Sequence, residues 1–169
     1  MAVKTLDFSS NYIKGDPISV ILLFNDYFPS RAFSEHSLHR FKVKQNGPLK
    51  DKLRITLLDR KTKFRNILNQ DALVSALKKE FNDEIELNIV TYDLKTKFVD
   101  QISKTHNSDI FMSMHGAGLT HLLFLPHWAT VFEIYNCEDR DCYLDLARLR
   151  GVKYFTWERP DLVYPQVSF

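Results

Sequence analysis

Residues 109–124, DIFMSMHGAGLTHLLF, decide the fold. Asp109 to Met114 (DIFMSM) reads as a strand, followed by the turn His115-Gly116-Ala117-Gly118. Beyond the turn, Leu119, Leu122 and Leu123 recur at helical spacing, so Gly116 opens a helix. A strand that passes through a glycine turn into a helix is the building unit of a parallel α/β sheet.

The same alternation continues in both directions. Downstream, Thr130–Tyr135 (TVFEIY) reads as a strand, Tyr143–Arg150 as a helix ended by Gly151, and Val152–Trp157 (VKYFTW) as a last strand. Upstream, Phe98 to Ile102 lies in a helix and Ile85–Tyr92 is a strand. Asp71 starts a helix carrying Leu73, Val74, Leu77 and Phe81, and Leu53–Leu58 is a strand. Gln45-Asn46-Gly47-Pro48 is a turn, and Ser30 caps a helix through about Phe41. Ile18–Phe24 (ISVILLF) is a continuous apolar run consistent with a buried strand. The strands are apolar and β-branched, as strands covered on both faces should be. The expected fold is α/β, a Rossmann-like doubly wound and mostly parallel sheet. Its expected boundaries are an irregular lead-in over 1–17, one domain over 18–159 and a Pro-punctuated tail over 160–169.

Bulk properties narrow the function. With 23 basic and 21 acidic residues, the chain lacks the basic excess of a nucleic-acid binder. The run Lys42, Lys44, Lys50, Lys52 and Arg54 reads as a solvated face. No stretch of 18 or more apolar residues is present, and Met1–Ser10 lacks the apolar core of a secretion signal. Cys137 and Cys142 are too few for a metal site. They form a local disulfide in an oxidising compartment or remain thiols in a reducing one.

In open α/β sheets, ligands bind beyond the carboxyl ends of the strands. Three such places stand out. Gly116, Ala117 and Gly118 put bare backbone at a helix N-terminus, where N–H groups and the helix dipole suit a diphosphate; a tight turn explains the glycines equally well. Arg60 follows the Leu53–Leu58 strand, with Arg65 beyond it. Guanidinium groups clamp phosphates by bonding two oxygens at once, although an exposed basic loop with Lys61 and Lys63 is the plainer reading. Glu133, inside an apolar strand, is costly to bury alone; it meets ribose hydroxyls or an ion-pair partner. His115, His121 and His127 lack the i, i+4 spacing of helical metal ligands, and of the three His115 has the best claim to face a ligand. Asp139 and Asp141 lie in a charged loop. A glycine where His121 stands would be needed for the dinucleotide fingerprint, and there is no P-loop, G-x-S-x-G elbow or C-x-x-C.

Longer stretches carry a resemblance. Met114–Pro126 (MHGAGLTHLLFLP), Val131–Asp139 (VFEIYNCED) and Cys142–Gly151 (CYLDLARLRG) resemble the C-terminal part of glycosyltransferase family 61, in particular its EGF-domain-specific O-linked N-acetylglucosamine transferases. Ile55–Arg60 (ITLLDR), Phe64–Gln70 (FRNILNQ) and Arg31–His36 (RAFSEH) are similar too. The resemblance implies the C-terminal half of a GT-B enzyme that uses UDP-GlcNAc as donor substrate. Transfer would go, with inversion, to Ser or Thr hydroxyls of EGF-like domains of secreted or membrane glycoproteins in the endoplasmic reticulum lumen. It assigns the diphosphate to Arg60, Arg65, Gly116, Ala117 and Gly118 and the ribose to Glu133. It leaves the catalytic base unassigned, with His115 a candidate, and leaves the need for a divalent metal such as Mn2+ open. Family members are much longer, so the chain reads as a fragment. The alternative is a truncated, non-catalytic module that binds a UDP-sugar or a partner.

Overall fold

The computed structural model describes residues 30–62, 65–134 and 141–157. The lead-in, the expected strand Ile18–Phe24, the tail and Cys137, hence any Cys137–Cys142 pairing, lie outside the described residues.

Among the described residues, five strands form one sheet: β1 (Leu53–Leu58), β2 (Ile85–Val90), β3 (Ile110–Met114), β4 (Thr130–Ile134) and β5 (Lys153–Thr156). The order is β2-β1-β3-β4-β5, and every neighbouring pair is parallel. Helix α1 spans residues 30–40. Helices α2 (Gln70–Phe81), α3 (Phe98–His106) and α4 (Cys142–Arg150) follow, each within a few residues of its expected limits. Gly151 ends α4 as expected, in the left-handed conformation (φ 79°), with its N–H on Ala147 O at 2.8 Å.

The chain moves from β1 outward to β2, then returns across to β3, β4 and β5. Right-handed crossovers therefore place α2 on one face and α3 and α4 on the other. The core lies on the α3–α4 face, where Phe111, Leu119, Leu122, Leu125, Val131 and Ala147 are fully buried.

Two sequence readings need correction. Gly116 opens a 3-10 helix, Ala117–Phe124, not an α-helix. Eight residues is long for this form. The reason lies in the leucines: Leu119, Leu122 and Leu125 are all fully buried, a period of three that matches three residues per turn. The far end is clamped. Arg150 donates to Leu123 O and Leu125 O, both at 2.6 Å, and His106 Nδ1 lies 2.8 Å from Phe124 O. The second correction concerns Arg54, which is no part of a solvated face. It is 6% exposed and paired with Asp109 at 3.0 Å, because alternation in β1 turns it into the sheet's covered face.

Candidate functional site

The strand order reverses between β1 and β3, so the crevice of a doubly wound sheet opens at the carboxyl ends of these two strands. Arg60 lies just beyond β1 and His115 just beyond β3. The two meet: Arg60 Nη1 donates to His115 O at 2.5 Å. The main chain of His115 is also fixed from the other side, by its N–H on Ile134 O at 3.0 Å.

The glycines exist for clearance at this junction. A Cβ on Gly116 would stand 1.7 Å from Arg60 Nη1, and Gly116 has φ +139°, a region open mainly to glycine. A Cβ on Gly118 would stand 2.4 Å from Leu58 Cδ2. The turn therefore lies directly against Arg60 and the end of β1. Ala117 is exposed at the first position of the 3-10 helix, where N–H groups lack intrahelical partners.

Arg65 is exposed and adopts φ +61°, uncommon for a residue with a side chain. Burial, and then the positive charge of Arg65, lower the pKa of Arg60, while Tyr143 acts in the opposite sense. Two guanidinium groups thus stand within electrostatic reach of each other. Such an arrangement attracts an anion.

Glu133 is 1% exposed and meets protein partners on both carboxylate oxygens. Oε1 lies 2.5 Å from His115 Nδ1, and Oε2 accepts a hydrogen bond from the Tyr154 hydroxyl. Thr156 Oγ1 and the Trp157 N–H both donate to the Glu133 carbonyl, at 3.0 and 3.2 Å. Tyr143, in the first turn of α4, packs edge-on against His115 with ring centroids 5.1 Å apart. Its hydroxyl pKa is raised by burial, then by Cys142 and Glu133, against the opposing charges of Arg60 and Arg65.

The structure therefore brings Arg60, His115, Gly116, Gly118 and Glu133 into one place, with Arg65 close enough to perturb Arg60. His121 and His127 lie elsewhere. His121 bonds Gln101 at 3.1 Å and packs on Tyr92, and His127 packs on Trp128. Among the described residues, no three His, Cys, Asp or Glu side chains are grouped closely enough to hold a metal ion, and no helix is long and apolar enough to cross a membrane. Sequence reasoning missed Tyr143 and Tyr154. The signal for Tyr154 is its two-residue offset from Thr156 on β5, which puts both on the face of Glu133, but only strand register reveals it.

Residues 19–132 match the family profile described as Glycosyltransferase 61. Over 137 residues, 80% of this chain, the sequence is 58% identical to the EGF domain-specific O-linked N-acetylglucosamine transferase of Rattus norvegicus. It is 60% identical to the protein of that name from Canis lupus familiaris. Over 136 residues it is 56% identical to the one from Drosophila melanogaster. The aligned part is 25–26% of each relative, so the chain spans about a quarter of the length of the curated relatives it matches.

Proposed function

The chain belongs to glycosyltransferase family 61, and on that footing we propose that it forms the UDP-GlcNAc-binding half of an inverting, GT-B-type protein O-GlcNAc transferase. The relatives are named as EGF domain-specific; in this reading the acceptors are Ser and Thr hydroxyls of EGF-like domains and the compartment is the endoplasmic reticulum lumen. The observation that carries the reading is the meeting of Arg60 with the His115–Gly116 turn at the β1/β3 crevice.

The chemistry follows from the charges. In an inverting transfer, the acceptor oxygen forms its bond to the anomeric carbon as the bond to the diphosphate breaks. The acceptor proton passes to a base, and the leaving diphosphate keeps the electron pair. Arg60 and Arg65 are assigned to that diphosphate, where guanidinium groups stabilise developing negative charge. The N–H groups of Gly116, Ala117 and Gly118 supplement them. For Glu133, contact with the ribose requires exchanging one of its present partners, His115 or Tyr154.

The test is thermal unfolding of the chain with UDP-GlcNAc, with NADH as control. A ligand that binds the native state alone stabilises it by about 2.7 kcal/mol at a hundred times its Kd. A selective rise in Tm with UDP-GlcNAc supports the reading; no rise in a cooperatively folding sample overturns it. Binding without sugar transfer to an EGF-like domain would favour the non-catalytic module.

A further inference from the structure

We infer that Tyr154 is a positioning residue that acts through Glu133 to set the tautomer and orientation of His115. This goes beyond assigning the donor site, and its link to sugar transfer rests on that assignment.

Three neighbouring segments line up to build the chain of contacts. Tyr154 is on β5, Glu133 on β4, and His115 one residue past β3. In register, Val131 pairs with Tyr154 and Ser113 with Glu133, so all three side chains emerge on the core face. The Tyr154 hydroxyl donates to one carboxylate oxygen and His115 Nδ1 meets the other at 2.5 Å. An ionised carboxylate is acceptor-only, so the ring must carry its hydrogen on Nδ1. Any hydrogen bond from this imidazole to a ligand then falls to Nε2.

Glu133 could hold that geometry alone only if its carboxylate could not turn. Two of its constraints are backbone contacts, from Thr156 and Trp157 to its carbonyl, and these leave the side-chain torsions open. Tyr154 supplies the missing constraint, with its ring packed against the buried core cluster. The Tyr143 ring then covers His115 edge-on. The histidine carbonyl is meanwhile held by Arg60, so the same residue joins the arginine cradle to the Tyr154 chain. Arg60 fixes only the main chain of His115, so the ring torsions are left to Glu133 and the covering Tyr143 ring.

The experiment compares the whole chain with its Tyr154→Phe variant. Imidazole nitrogen NMR of the ligand-free protein reads the tautomer of His115, and calorimetry reads the Kd for UDP-GlcNAc. The expected result is an Nδ1-protonated ring in the parent. Tyr154→Phe should show a mixture of ring states, with Kd weakened up to about tenfold, the scale of one lost hydrogen bond from the imidazole. His115 ring signals unchanged in a folded Tyr154→Phe protein would overturn the inference. If that variant does not fold, 3-fluorotyrosine is incorporated at position 154 instead, which makes the hydroxyl more acidic and keeps the ring: a shift of the His115 ring signals supports the positioning role and unchanged signals refute it. Failure of the parent to bind UDP-GlcNAc, with the ring change still present, would remove the donor reading and leave the positioning chain intact.

Discussion

The two ends of this sheet use arginine in opposite ways. At the amino end, Arg54 is matched on every side. Its Nε and Nη2 donate to Asp109 at 3.1 and 3.0 Å, its main-chain N–H donates to the same carboxylate at 2.8 Å, and Nη2 also reaches Gly47 O at 2.6 Å. Trp128 Nε1 completes the set on Asp109 at 2.9 Å. At the carboxyl end, Arg60 has another arginine and Tyr143 as its electrostatic neighbours, and Glu133, the buried carboxylate on the other side of His115, is held by His115 and Tyr154. One end satisfies its charges internally; the other accumulates positive charge and keeps its carboxylate occupied. The first arrangement holds β1 to β3, and the second is the one to which the proposed function assigns the diphosphate.

That contrast can be broken most severely at the amino end. Asp109→Ala leaves the Arg54 guanidinium buried without its counter-ion, which costs about 3–5 kcal/mol of stability. Urea denaturation measures it, and a loss under about 1 kcal/mol would mean that water reaches Arg54 freely. Replacing both partners with apolar residues should recover most of the loss, since buried ion pairs are often no better than apolar packing of similar volume.

The next largest effect falls on the glycine turn. In Gly116→Ala the new methyl would overlap Arg60 Nη1, at a backbone angle that alanine avoids, so Arg60 must leave His115 O. Strain of this kind is worth about 1–3 kcal/mol. The loss should appear in UDP-GlcNAc affinity, by a factor of about 100 or more, because 1.4 kcal/mol is tenfold and the cradle is also dispersed. Gly118→Ala should be milder, since its methyl meets the flexible end of Leu58.

Arg60→Ala and Arg65→Ala sharpen the comparison. Each should weaken UDP-GlcNAc binding roughly tenfold, the scale of a charge-assisted hydrogen bond. Arg65 is exposed and its charge opposes Arg60, so Arg65→Ala should leave the ligand-free melting temperature unchanged or slightly higher. A clear fall in ligand-free stability would show Arg65 to be part of the scaffold, as Arg54 is.

Much of this contrast was legible in the sequence, and the part that was not has a common cause. Strands such as Ile110–Met114 announce themselves because burial on both faces demands mainly apolar residues. Arg60, Gly116 and Glu133 were singled out by their place at strand ends and by the family resemblance, and the structure brings them together around His115. Arg54 was misread because its neighbours Lys50 and Lys52 are indeed exposed, and only its place within β1 turns it inward. The 3-10 winding was missed because Leu119, Leu122 and Leu123 fit a helical period, whereas Leu125, three residues beyond Leu122, gives the tighter one. Tyr154 and Tyr143 were missed because their roles depend on pairing between distant segments, for which local pattern holds no signal.

The smallest effects come from pH, and they again separate the ends. Burial alone would raise the Asp109 carboxyl, but hydrogen bonds from the Arg54 side chain and backbone and from Trp128, with the Arg54 charge, outweigh it and hold the pKa below 3.8. A depressed pKa contributes stability that is whole above the ordinary value and lost as pH falls through the folded one. His106 and His121 are lowered from 6.5 chiefly by burial, so the folded state favours their neutral forms. Their contribution is likewise whole above pH 6.5 and lost as pH falls through their folded pKa values. Melting temperature should thus decline in two steps on acidification: a shallow one starting near pH 6.5 and a steeper one below pH 3.8. At high pH, burial pushes the Tyr92 phenol up to about 12, and Tyr143 is raised as well. Raised pKa values contribute stability that is present below pH 10 and lost as pH climbs through the folded values. His106→Gln should flatten part of the shallow step and leave the acid step in place, because the Asp109 carboxylate is held by Arg54 and Trp128 and not by His106. If the profile between pH 7 and 5 is already flat in the parent, protonation of His106 and His121 does not oppose folding, and the clamp on the far end of the 3-10 helix rests on Arg150.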